Sequence, residues 1–204
     1  MRSGRRSSSD PVTSLSLLIA IRDRDNHQAW RRFMRLYQPV IISYAKHLGL
    51  THDGAHDAAQ ETFAAFSAQL ERYKREKGRL CDWLRGIARN KIAAIRRQNR
   101  RGKVISDLSD GSRLIRNLED PDSTASTKLW EELWQRAIYQ DCLRIVRKEV
   151  NSQTYRAFYR CVMDEIKPAK VAVELDVEPN IVHSAKHRVM QRIRELKNTL
   201  EPAD

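Results

Sequence analysis

Cysteine is scarce in this sequence: Cys81, Cys142 and Cys161 are the only three. The number is odd and no C-x-x-C pair occurs, which excludes a disulfide framework and points to reduced, mostly buried thiols in a cytoplasmic protein. Glycine and proline are sparse as well, at seven and six residues, which fits helices better than a turn-rich β fold. Long hydrophobic runs are missing. The patch from Leu15 to Ile21 stops at Arg22 and Asp23, too short to span a bilayer, and the basic start MRSGRRSSSDP leads into no apolar signal core. Neither a signal peptide nor a membrane partner is expected. No P-loop, G-x-G-x-x-G, H-E-x-x-H or G-x-S-x-G occurs, so no catalytic residue, no cofactor and no enzyme activity is expected.

Acid is missing from one stretch in particular. From Trp83 to Arg101 there is no Asp or Glu, while Arg85, Arg89, Lys91, Arg96, Arg97, Arg100 and Arg101 all lie within it. Its apolar residues Leu84, Ile87, Ala88, Ile92 and Ile95 follow the i, i+3, i+4 rhythm of one helix face. A cationic opposite face is either an ordinary solvated surface or a seat for a polyanion. Surface helices usually mix signs for i, i+4 pairing, so an acid-free run favours the second. The whole chain agrees, with a formal net charge of +12 and a pI of about 10.0. Such a balance suits nucleic acid or another anionic surface.

In chain order, residues 1–12 read as a disordered basic tail. A first helical domain is expected over 13–101. It opens with a short helix from Val12 to Ile21, followed by N-cap candidates Asp25 and Asn26. The stripe Trp30, Phe33, Met34, Tyr37, Ile41, Tyr44, Ala45 and Leu48 marks a long helix, which Pro39 should kink or break near Gln38. Thr51 or Asp53 can cap the next helix, with Ala59, Phe63, Phe66, Leu70 and Tyr73 on its buried side. A polar loop around Gly78 then leads into the basic helix. Residues 102–126 lose the apolar rhythm, gain acid and read as a linker. A second helical domain, 127–204, should start near Thr127 with Trp130, Trp134, Ile138 and Cys142 on one stripe. The fold class expected is all-α: two small helical domains joined by a flexible linker.

The end of the chain has the layout of a helix-turn-helix: Pro168 to Leu175, the turn Asp176-Val177-Glu178, and a longer basic helix from Pro179. Val171, Ala172 and Leu175 should pack on Val182, Ala185 and Val189. The outer face then carries Asn180, His183, Ser184, Lys186, His187 and Arg188, residue types that bond base edges or phosphates, and Arg192 extends it. A plain helical hairpin is the alternative. His52 and His56 stand at metal-ligand spacing beside Asp53 and Asp57, but no third ligand is indicated and no metal is expected.

Two motifs then resemble a known family. Asp57, Gln60, Glu61 and Phe63 stand in the pattern D-x-x-Q-E-x-F, and residues 83–90 read W-L-x-x-I-A-R-N at the interval found in bacterial sigma-70 factors of the extracytoplasmic-function class. The resemblance covers residues 14 to about 200. It implies that 13–101 is region 2, which binds core RNA polymerase and the −10 element, and that 127–204 is region 4, which reads the −35 element. Asp57, Gln60, Glu61 and Phe63 would dock on the coiled coil of the β′ subunit, and the β subunit would be a further contact. The loop from Tyr73 to Asp82, including Lys77, Arg79 and Leu80, would capture a flipped base of the non-template strand. Trp83, Arg89, Asn90, Arg96, Arg97 and Arg100 would hold that strand and the upstream duplex. Asn180, His183, Ser184, Lys186, His187, Arg188 and Arg192 would serve the −35 element. Leu80 stands where many members carry Phe, and Asp176 where they carry Gly. An anti-sigma factor is a further partner of this class.

The function implied is that of an alternative sigma factor, which directs core RNA polymerase to promoter DNA and aids melting. The competing readings are a stand-alone helix-turn-helix regulator and an RNA-processing or nuclease enzyme with a basic helical body; the latter needs a carboxylate or histidine cluster that the sequence does not offer.

Overall fold

The computed structural model describes residues 14–102 and 124–200, and no strand occurs among them. Eight α-helices are found there: α1 Ser14–Arg22, α2 His27–His47, α3 His52–Gln69, α4 Leu80–Gly102, α5 Thr124–Glu149, α6 Ser152–Val162, α7 Pro168–Leu175 and α8 Pro179–Leu200. The all-α expectation is met. The expected tail, and all of the expected linker except Gly102 and residues 124–126, lie outside the described residues.

Local chemistry explains where helices begin. Asn26 caps α2 by accepting from the Ala29 amide at 3.1 Å, and Thr51 caps α3 by accepting from the Gly54 amide at 3.2 Å. Asn151 does the same for α6, from the Thr154 amide at 2.7 Å. Each such cap contributes about 1 kcal/mol. The chain leaves α2 through Gly49, whose φ of 86° suits glycine.

Pro39 does not end a helix: α2 runs through it to His47. Proline at this position leaves the Arg35 carbonyl without its helical donor. Both Pro39 and Arg35 are exposed, so water can serve that carbonyl, while Leu36, Tyr37, Val40 and Ile41 bury the opposite face.

By their contacts the described residues divide into two units: those within Ile21–Ala137, and 14–20 together with 138–200. The first unit is built on α3, which packs on both α2 and α4. Phe33 of α2 stacks on Phe66 of α3, with centroids 4.6 Å apart and planes at 17°. The first half of α5 also belongs here. Trp130 meets Tyr44 edge-on at 5.2 Å, Trp134 stacks on Tyr37 at 4.6 Å, and the hydroxyls of Tyr44 and Ser126 are hydrogen-bonded. This differs from the expected limits of 101 and 127. Residues 124–137 are helical and pack with the first unit, while Ser14–Ala20 of α1 groups with the second.

In the second unit α6, α7 and α8 pack on one another. Ala157, Val171, Ala172, Val182 and Ala185 form its small core, with Cys161, Ile166, Leu175 and Val177 half-buried against it. The expected packing of Val171 and Ala172 against Val182 and Ala185 is therefore present. Asp176 ends α7 in the left-handed region, at φ 52° and ψ 54°. Asp visits that region more readily than most residues other than glycine, which is how the turn forms without one.

Cys142 is fully buried, and burial, aided by the nearby Asp141 carboxylate, pushes its thiol up to about 11. Cys81 is buried and Cys161 half-buried. Iodoacetamide should therefore label Cys161 first in the native protein and reach Cys142 only as the chain unfolds. Mass spectrometry of a labelling time course checks this; Cys142 labelled ahead of Cys161 would contradict the packing.

Candidate nucleic-acid interface

The first unit carries an outer surface formed by α3, the segment from Tyr73 to Arg79, and α4. Asp57, Gln60 and Glu61 are exposed on α3. Glu61 is bonded by the ammonium of Lys91 on α4 at 2.9 Å. Phe63 is not on that surface. It is 7% exposed and meets Phe33 edge-on at 5.8 Å, because the α3 stripe that includes Ala59 and Phe66 turns it inward. Leu80 is likewise a core residue, 9% exposed at the first position of α4. The burial of Phe63 is what the α3 stripe predicted; the direct contact with a partner implied for Phe63 and Leu80 does not fit residues that lie beneath the surface.

The loop before α4 is closed by its own chemistry. The Tyr73 hydroxyl donates to the Gly78 carbonyl at 3.0 Å, and the Tyr73 ring stacks on Trp83 at 5.2 Å and 29°. Trp83, half-buried, also meets Phe66 at 5.3 Å. Burial raises the Tyr73 phenol above its usual range. Gly78 sits at φ 138° and ψ 171°, a region that is essentially glycine-only. Lys77 is exposed beside it.

The basic helix does not present all its cations equally. Arg79, in the turn before α4, donates to Asp82 at 3.0 Å and to Glu131 of α5 at 2.6 Å. Arg85 donates to the Thr127 hydroxyl of α5 at 2.6 Å. Asn90 and Arg97 are exposed, whereas Arg89 and Arg96 are half-buried and engaged in interactions of their own. Arg100 lies in α4, but its side chain is outside the described residues. Glu131 and Thr127 were not anticipated: 52 and 42 residues separate them from their partners, so no local pattern reveals them.

In the second unit α7, the turn and α8 take the helix-turn-helix form. Arg160 of α6 clamps α7 through a two-pronged bond to Glu174, Nε to one oxygen and Nη2 to the other, each at 3.0 Å, and also reaches Asp164 at 2.8 Å. Asn180, His183, Ser184, Lys186, His187 and Arg188 are all exposed on α8. Arg192 differs. It donates to both oxygens of Glu149, at 2.7 and 3.0 Å, and to Glu195 at 3.1 Å. Two carboxylates neutralise it, so it does not extend the cationic face as expected. His52 and His56 lie with their rings 4.5 Å apart. No group of three or more metal-ligating side chains comes together among the described residues.

Residues 33–102 match the family model for Sigma-70 region 2. The matched interval begins within α2, takes in α3 and the Tyr73–Gly78 loop, and ends with α4. This segment is thus similar to the region of sigma-70 factors that serves promoter recognition by RNA polymerase, and the match supports that role for the chain. No curated protein and no solved structure matches it. No helix among the described residues is long and apolar enough to cross a membrane.

Two expectations follow from this geometry. A side chain at position 78 meets nothing within 4 Å, so any cost of Gly78→Ala comes from the backbone alone. It should destabilise the first unit by about 1–3 kcal/mol; an unchanged denaturation midpoint would show that the loop does not depend on this conformation. The second concerns Glu149, whose carboxyl the Arg192 hydrogen bond holds below its ordinary 4.5. A lowered folded pKa gives stability that is complete above 4.5 and lost as pH falls through the lowered value. Unfolding of the second unit, followed from neutral pH downward, should steepen there, and Glu149→Gln should flatten the curve. Equal slopes for the two proteins would mean that the pair does not form in solution.

Proposed function

We propose that the protein is an alternative sigma factor of the extracytoplasmic-function class: it binds core RNA polymerase, directs it to promoters through −10 and −35 elements, and aids melting. The observation that carries this reading is the region 2 match over residues 33–102, which includes both the α3 surface and the basic helix. In this reading the first unit provides region 2 and the helix-turn-helix unit provides region 4. In this reading an anti-sigma factor is a further partner.

The roles divide by chemistry. Asp57, Gln60 and Glu61 are polar and exposed on one helix, as suits docking on the β′ coiled coil, while buried Phe63 holds that helix in place. Strand capture needs cations and a ring platform. Lys77, Arg97 and Asn90 with the half-buried ring of Trp83 suit that task, and buried Tyr73, Arg79 and Leu80 shape the loop. No nucleotide need be hydrolysed: binding to the exposed strand offsets the cost of unpairing. The outer face of α8, from Asn180 to Arg188, would read the −35 element in the major groove.

The test is co-elution of the full chain with purified core polymerase, followed by run-off transcription from genomic fragments. Gln60→Ala combined with Glu61→Ala should weaken core binding at least tenfold. It should barely change thermal stability, because the Glu61–Lys91 pair is exposed, with side chains 59% and 35% accessible, and such pairs contribute about 0–1 kcal/mol. Unaltered affinity in the double variant would remove this face of α3 as the docking surface. DNA binding by a chain that never associates with polymerase would instead indicate a stand-alone regulator.

A further inference from the structure

In a chain of net charge +12, α3 stands apart: from His52 to Gln69 it holds Asp53, Asp57 and Glu61 and no Lys or Arg. Its first turns also carry two imidazoles, set on one side of the helix by their i, i+4 spacing. His52 is exposed and His56 half-buried, and their ring centroids lie 4.5 Å apart with the planes inclined at 36°. The Asp53 carboxylate stands 3.4 Å from Nδ1 of His52. A carboxylate on that side favours the tautomer with the proton on Nδ1, which leaves the lone pair on Nε2.

We propose that His52 and His56 chelate one divalent late transition-metal ion, with water filling its remaining positions. Spacing along the sequence did not ask for a metal here; the approach of the two rings does. An ion held about 2.1 Å from each imidazole nitrogen sets the ring centres about 4.5–5.3 Å apart, as the angle between the bonds opens from a right angle to tetrahedral. The observed spacing falls at the narrow end of that range. It therefore favours an ion that takes imidazoles at right angles, Ni²⁺ or Cu²⁺, over tetrahedral Zn²⁺. The positive end of the helix dipole opposes a cation here; Asp53 and Asp57, exposed beside the imidazoles, offset it. Structural sites take four protein ligands, so a two-histidine chelate holds its ion exchangeably and responds to how much metal is available. The site borders the polar face of α3: His56 precedes Asp57 and lies one turn before Gln60. A hydrated dication there would neutralise Asp57 and crowd that face, weakening its docking on polymerase. This consequence rests on the proposed function; the chelate does not.

The untagged full chain and Ni²⁺ alone test the site, read by carbethoxylation of each histidine and mass spectrometry. With Ni²⁺ at about ten times its dissociation constant, labelling of His52 and His56 should slow about tenfold, as mass action requires, while exposed His27 keeps its rate. A chelate needs both rings. In His52→Ala the metal should no longer protect His56, and in His56→Ala it should no longer protect His52; alanine at these helical positions keeps the fold. Labelling of His52 and His56 that ignores Ni²⁺, or protection of one ring that survives loss of the other, would overturn the chelate. His183 and His187 have the same spacing on α8, and protection confined to them would overturn it as well. Core polymerase then tests the consequence. Ni²⁺ should weaken co-elution of the wild-type chain and leave the His52→Ala, His56→Ala double variant unaffected. Undiminished co-elution of a chain whose two rings are protected would remove the effect on docking and keep the site. A chain that takes Ni²⁺ but never joins polymerase would overturn the proposed function and not the chelate.

Discussion

The contact between the rings of Phe33 and Phe66 joins α2 to α3, and the rest of the first unit is arranged along it. Rings continue from it in both directions. On one side Phe33 meets Tyr37 at 4.6 Å and Tyr37 meets Trp134. On the other, Phe66 meets Trp83, and Trp83 meets Tyr73. One run of side chains thus passes from α5 through the core to the loop before the basic helix. Each pair adds about 0.5–1.5 kcal/mol beyond its burial. The more important effect is geometric: four helices and a loop are set against a common line of flat, rigid groups, so the polar residues on the outside inherit fixed positions.

Over this apolar frame the chain distributes an excess of positive charge, and it does not leave all of it open to a partner. Arg79, Arg160 and Arg192 each engage two carboxylates. All are partly exposed, so their net stabilisation is modest. Their value lies in orientation. Arg160 sets α7 against α6, Arg192 ties α8 to the end of α5, and Arg79 ties the turn before α4 to α5. The cations that remain outward, such as Arg97, Lys186 and Arg188, are exposed on the two faces that the proposed function would turn toward nucleic acid.

Much of this was readable from spacing. The stripes of α2, α3 and α8 are long and regular, and most of the residues they place inside are buried; on the α2 stripe Met34 is exposed and Trp30 only half-buried. Phe63 was on such a stripe, and its appearance in a docking motif drew attention from its packing. Periodicity tells that a residue is buried but not against what. Trp130, Trp134, Ile138 and Cys142 form one continuous stripe on α5, yet the tryptophans pack with the first unit and the latter two group with the second. Nor can local sequence show that Glu149 would claim Arg192 across 43 residues, or that solvent would relieve the carbonyl left open by Pro39.

The closed loop from Tyr73 to Gly78 has a consequence for how fast and how tightly a single strand could be held. A loop that must be ordered on binding subtracts its lost freedom from the affinity. Here the glycine conformation, the phenol-to-carbonyl bond and the ring stack on Trp83 already hold the segment in the absence of any ligand. The ordering entropy has been met during folding by the aromatic core. A strand arriving at this surface would then lose only its own freedom, and weak, sequence-tolerant contacts would be enough to retain it.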